Sequence, residues 1–165
     1  MLDSATYEDV EADRSATPQA LVVVVLSSLA AGIGTYGGSP KTLTYFVNAS
    51  VIALMMWAAF ALLTFEVGAR ILPTAETRAD VGQLLRTLGF AAAPGLIQVL
   101  GVLPGALVPV FTLAILWALA ASVVAVRQAL DYTSTARALA VCGLGLLLAL
   151  IIAVPLGLLF SRPVF

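Results

Sequence analysis

Residues 87–126 read TLGFAAAPGLIQVLGVLPGALVPVFTLAILWALAASVVAV, a run of 40 residues without one charged side chain. As a straight helix it would extend about 60 Å at 1.5 Å per residue, twice the roughly 30 Å hydrocarbon core of a bilayer. One spanning helix is therefore excluded. The run is punctuated by Pro94-Gly95, Pro104-Gly105 and Pro109. Proline presets the first corner of a tight turn and glycine accepts the positive φ of the second, so Leu103–Gly105 predicts a hairpin between two spans. Pro94 falls midway along the first of these spans. It removes an internal helix hydrogen bond and predicts a kink.

The remainder of the chain has the same character. Its 165 residues are 61% hydrophobic and 10% charged, with a mean hydropathy of +1.07. A soluble domain of this length carries about 25% charged residues, so this chain lacks the charge to coat a globular surface. Short loops leave room for one compact membrane domain. The net charge of −1 and the lack of a basic cluster exclude nucleic acid as a partner. Cys142 is the sole cysteine, which excludes an intramolecular disulfide.

The expected fold class is all-α: a polytopic membrane helical bundle of five transmembrane helices with a Pro-kinked third helix. The spans are expected at residues 18–36, 42–65, 82–102, 106–126 and 136–160, forming one domain over 18–160. An acidic tail, residues 1–17, precedes it and a stub, 161–165, follows. The tail carries Asp3, Glu8, Asp9, Glu11 and Asp13 against Arg14, so it lacks the basic start of a signal peptide, and the first apolar segment is expected to remain as a span. Thr17-Pro18 reads as a helix cap followed by proline at the first helical position. Ser39-Pro40 repeats that pattern, and Ser134 or Thr135 suits the start of the fifth span. Gly68 to Val81 reads as the main hydrophilic loop, with Thr77–Asp80 resembling a capping box for the third span.

Five spans put the termini on opposite sides. With the N-terminus inside, the inner segments carry Arg14, Arg70, Arg78, Arg86, Arg127 and Arg137, and the outer ones only Lys41 and Arg162. The excess of positive charge predicts a cytoplasmic N-terminus and a C-terminus on the far side.

Several constellations are candidate sites. Around the kink and hairpin, Gly89, Phe90, Pro94, Gly95, Pro104 and Gly105 suit either a broken helix whose carbonyls line a pathway or a short hairpin of small residues for close packing. Glu66 and Arg70, four apart, form an interfacial charge pair within reach of Arg86, either a gate or headgroup pocket or a pair that sets helix depth. The intramembrane polar residues Asn48, Ser50 and Gln98 suit interhelical glue or substrate contact. Ala114, Ala118 and Ser122 make a small-residue ladder, and Gly34-x3-Gly38 and Gly101-x3-Gly105 repeat its spacing. Trp57 and Trp117 fall near mid-span, where core packing is the plain expectation. Tyr7, Glu8, Asp9, Val10 and Glu11 form the best soluble handle for a partner. No histidine, phosphate-binding glycine motif or nucleophile with a base is evident, so no catalytic residue, metal or cofactor is expected.

The chain resembles the YIP family, five-span membrane proteins whose eukaryotic members interact with Ypt/Rab GTPases, and looks closest to its bacterial arm. The resemblance covers nearly the whole chain. It is carried by Tyr7-Glu8-Asp9-Val10-Glu11-Ala12-Asp13 with Ser15–Ala20, by Arg86–Gly95, and by Gly101-Val102-Leu103-Pro104-Gly105. It implies a cytoplasmic N-terminus, five spans and a role in complexes rather than catalysis, in a bacterial inner membrane. The Asp-Leu-Tyr-Gly-Pro-like motif of the eukaryotic tail is absent, so Rab binding does not carry over. The expectation is a non-catalytic scaffold or accessory subunit, in contact with membrane lipids and other membrane subunits. The alternatives are a small transporter or channel, or a membrane-shaping protein.

Overall fold

The computed structural model describes residue 10 and residues 13–36, 43–74, 77 and 80–160. A 3-10 turn, Arg14–Ala16, leads into α1, Thr17–Tyr36. Helix α2, Leu43–Phe65, widens into a π-helical turn over Glu66–Ile71. Helix α3, Val81–Ala91, resumes after Ala92 as a 3-10 segment, Ala93–Val102. Helix α4 spans Leu107–Ala129 and α5 Thr135–Phe160. Among the described residues five helical segments are long and apolar enough to cross a membrane, and there is no strand. The protein is an all-α, multi-pass membrane bundle, and its surface helices contact lipid.

Three local readings need correction. The cap of the first helix is Asp13, not Thr17. The Asp13 carboxylate accepts the Ser15 N–H at 2.8 Å, while Thr17 is already helical, its hydroxyl donating to the Arg14 carbonyl. The third span is capped at Asp80, whose N–H donates to Gln83 Oε1 at 2.8 Å; Thr77 instead closes a local turn on Thr74. Finally, Gly68–Ile71 is helical rather than loop, because a π turn carries α2 onward until Pro73, which has no N–H to continue it. The Ser39-Pro40 start lies outside the described residues.

The third span breaks where its proline demands. Pro94 offers no N–H, so the Phe90 carbonyl loses its α-helical donor. The chain tightens instead, with Gly95 N–H donating to the Ala92 carbonyl at 2.8 Å. Ten residues is long for a 3-10 segment, which rarely outlasts three or four. Packing sustains it, because the segment is gripped between α1 and α4.

The hairpin follows as expected. Ala106 N–H donates to the Leu103 carbonyl at 3.0 Å, and Gly105 has φ +74°. This is a type II turn, with proline at the first corner and a left-handed glycine at the second.

Burial divides the helices into two classes. In the first and third spans 44% of the most apolar window is buried, against 11% in the second and 17% in the fourth. So α1 and the third span form the centre, and α2 and α4 face outward. Helix α5 packs on both α2 and α4, which scarcely touch each other. The densest core lies at the end where α2 finishes and α3 begins: Leu84, Leu88, Val126, Leu130, Tyr132 and Val141 are all buried there. Helix α4 reaches Ala129, one turn past the expected end, because Leu130 and Tyr132 are drawn into this core and Tyr132 N–H closes on the Arg127 carbonyl at 2.9 Å.

Candidate functional site

At the break in the third span, side chains add to the backbone's own hydrogen bonds. The Ala92 carbonyl receives the Ser27 hydroxyl of α1 at 3.0 Å. The Leu88 carbonyl, one turn earlier, receives Trp57 Nε1 of α2 at 3.3 Å. Two neighbouring helices therefore hold the break by its carbonyls. In a bilayer irregular backbone persists where surrounding protein buries and braces it in this way.

Small residues let the backbones approach. A Cβ at Gly89 would lie 2.8 Å from that of Ala20, and one at Gly95 3.1 Å from Ser27 Cβ. A Cβ at Gly34 would overlap the Gln98 carbonyl oxygen, and one at Gly101 would lie 3.2 Å from Gly34 Cα. The two expected glycine pairs thus meet each other through Gly34 and Gly101. Gly105 serves the turn instead, and Gly38 lies outside the described residues. Phe90 is half-buried at the end of α3 and Pro94 is buried, while Pro104 is exposed at the hairpin tip.

Because α2 and α4 scarcely touch, a cavity of about 350 Å³ opens between them. Its floor is Ser27, Ser28, Gly95 and Gln98 on α1 and the third span. Its walls are Met56, Trp57 and Phe60 on α2 and Phe111, Ala118 and Ser122 on α4. The lining is mostly apolar, and its hydroxyls are engaged by backbone: Ser28 donates to the Val24 carbonyl and Ser122 to that of Ala118, both at 2.8 Å. The Ala114, Ala118 and Ser122 ladder thus faces inward, with Ala114 and Ser122 buried.

The other intramembrane polar residues separate. Ser50 is buried against Gly32 and donates to the Phe46 carbonyl, and Gln98 is half-buried on the cavity floor. Asn48 is exposed on the outward side of α2, away from the interior where it was expected. Trp57 packs inward, whereas Trp117 is 41% exposed on the lipid-facing side of α4 rather than in the core.

The charges gather at the opposite end from the hairpin. Arg70 and Glu66 pair at 3.0 Å, both well exposed. Arg86 is buried and its guanidinium turns back toward Gly82 and Asp80 at the helix start. The guanidinium is thus held within the protein at the helix start and does not snorkel out to water. Its field reaches Asp13, whose carboxyl is held below the ordinary range first by the bonds to Ser15 and then by Arg86. Of the acidic handle, Val10 is half-buried; Tyr7, Glu8, Asp9 and Glu11 lie outside the described residues. Among the described residues no cluster of His, Cys, Asp and Glu is disposed to hold a metal ion.

This end also holds a tyrosine that no motif in the sequence marks. Tyr132, in the α4–α5 loop, places its hydroxyl 2.8 Å from the Gly68 carbonyl and 3.0 Å from that of Leu72. The Arg137 guanidinium lies over its ring at 5.9 Å, and Arg127 Nε donates to its carbonyl. Asp131 beside it takes φ +52°, a left-handed conformation that Asp tolerates. An Asp-Tyr pair after a span was the only available signal.

No curated protein and no solved structure matches the chain. A family model described as the Yip1 domain matches residues 3–155, and the protein belongs to that family.

Proposed function

We propose that the chain is a non-catalytic scaffold or accessory subunit of a larger membrane assembly, with its N-terminus in the cytoplasm. The observation that carries this reading is the asymmetry of burial. In a chain of five spans, α2 and α4 commit little of their apolar surface to their own bundle, 11% and 17% of their most apolar windows. Ile151, Ile152 and Val154 extend the outward surface along the far part of α5. Association of membrane helices uses such faces for van der Waals packing. The orientation is supported by Arg14, Arg70, Arg86, Arg127 and Arg137, which share the end opposite the hairpin and fit the positive-inside rule.

A transporter is the second reading, favoured by the broken third span beside a cavity. Against it, the lining is mostly apolar, and the hydroxyls of Ser27, Ser28 and Ser122 already spend their protons on backbone carbonyls.

Native electrophoresis of mildly solubilised membranes, with mass spectrometry of the band holding this chain, tests the proposal. Co-migration with larger membrane proteins in fixed ratio is expected. A partner-free particle would overturn it. A cytoplasm-dependent reporter fused to the C-terminus should stay inactive if the orientation is right.

A further inference from the structure

We propose that the cavity between α2 and α4 is a binding slot for one acyl chain of a phospholipid from the hairpin-side leaflet, with the Gln98 amide donating to that lipid's ester carbonyl.

Size selects the occupant. Along α4 the lining runs from Phe111 to Ser122, about 16 Å at 1.5 Å per residue. The volume of about 350 Å³ along that length makes a narrow groove that admits an alkyl chain lying lengthwise. A helix about 10 Å across would need roughly 1,300 Å³ over the same length, so neither a partner helix nor a second copy of this chain seats in it.

Chemistry sets the register of the chain. The far part of the slot, by Met56, Trp57 and Phe60, is apolar, and its polar atoms are committed, Trp57 Nε1 to Leu88 included. Gln98 differs. Its amide lines the slot, half-buried, and among the described residues none hydrogen-bonds it. An amide below the interface with no bond is unfavourable unless a ligand meets it. Gln98 lies four residues before the end of the 3-10 segment, about 8 Å at 2.0 Å per residue. The third span, 11 α-helical and 10 3-10 residues, measures roughly 37 Å, which exceeds the roughly 30 Å core by a few ångström at each end. Gln98 is therefore roughly 5 Å below the hydrocarbon boundary, within a side chain's reach of the ester level. A chain whose ester meets Gln98 runs down the slot to end beside Trp57.

The full chain carrying Trp117→Phe leaves Trp57 as its only fluorophore of that kind. In unbrominated mild detergent it is titrated with phosphatidylcholine brominated toward the methyl ends of its acyl chains. Saturable quenching at one lipid per chain is expected. Gln98→Leu should raise the half-saturating lipid about threefold, the factor for a typical membrane hydrogen bond. Ala118→Leu and, on the opposite wall, Ala53→Leu should each remove the saturable component while helical content by circular dichroism is unchanged. If either variant fails to fold, the other decides. Quenching that rises linearly with lipid and is the same in the filled variants overturns the slot. A brominated alkane without an ester that saturates at the same concentration, with or without Gln98, overturns the ester contact.

Discussion

Replacing Tyr132 with phenylalanine should destabilise the bundle by about 1–2 kcal/mol, although it deletes one oxygen and leaves the ring in place. The Gly68 carbonyl sits in the π turn, where the next backbone donors are Leu72 and Pro73. Leu72 N–H is spent on the Val67 carbonyl at 2.8 Å, and Pro73 has none. The buried Tyr132 hydroxyl, 2.8 Å away, stands in for the missing N–H. Removing it leaves a buried carbonyl unsatisfied, a loss of about 1–3 kcal/mol, partly relieved because this end is close to the interface. Reversible unfolding in mixed micelles by added dodecyl sulfate measures the change. Arg137→Ala is the control: it removes an exposed cation over the same ring and should shift stability by about 0.5–1 kcal/mol. Burial also raises the Tyr132 phenol above its ordinary 10.0. Its folded value thus exceeds its unfolded one, so its contribution is complete below pH 10.0 and declines as pH climbs through the higher folded value. Tyr132→Phe should abolish that alkaline component. A variant within about 0.3 kcal/mol of the parent, with the same alkaline profile, would refute the substitute-donor argument.

Ser27→Ala, which strips the Ala92 carbonyl of its side-chain donor, should cost about 0.6–1.7 kcal/mol by the same assay, the range for membrane hydrogen bonds. Gly34→Leu should prevent the monomer from reaching its native helix packing, because even a Cβ there overlaps the Gln98 carbonyl; loss of a discrete elution peak in mild detergent reports it. Gly105→Ala and Gly143→Ala should differ in sign. The first strains a residue at φ +74° by about 1–2 kcal/mol. The second meets nothing within 4 Å inside a helix and should be neutral or stabilising by up to about 1 kcal/mol. Glu66→Gln should change stability by less than about 0.5 kcal/mol, because its pair with Arg70 is well exposed.

The five helices and the break were legible because each rests on local chemistry. Hydropathy over some twenty residues marks a span, Pro94 marks a missing donor, and Pro104-Gly105 marks a turn with a left-handed second corner. The π turn after Phe65 was not legible. Nothing in Glu66–Ile71 demands wider spacing; it is selected by Tyr132, more than sixty residues away, which supplies a hydroxyl where Pro73 withholds an N–H. The caps were misplaced for a related reason. Thr17-Pro18 and Thr77–Asp80 have suitable residue types, but Asp13 and Asp80 stand where the first unbonded N–H groups come to lie. Asn48 and Trp117 could not be assigned a face, since an apolar helix has almost no periodic contrast to show which side is in.

The slot was the least legible feature, yet it follows from residues that were singled out for a different role. Gly34, Gly89, Gly95 and Gly101 bring α1 and the third span into near backbone contact. A central pair drawn so close still has to seat α2 on one flank and α4 on the other. The small residues that α4 presents to the slot, Ala118 and Ser122, are too short to reach across to α2. Tight packing in the centre and empty volume at the side are therefore one consequence of the same small residues. The two should trade against each other. A larger residue at Ala118 fills the slot without touching the glycine contacts, whereas one at Gly101 would push α1 from the third span and alter the slot only indirectly. If lipid binding survived the first and failed with the second, the void would be unrelated to occupancy, and the bundle's packing alone would govern what the lipid meets.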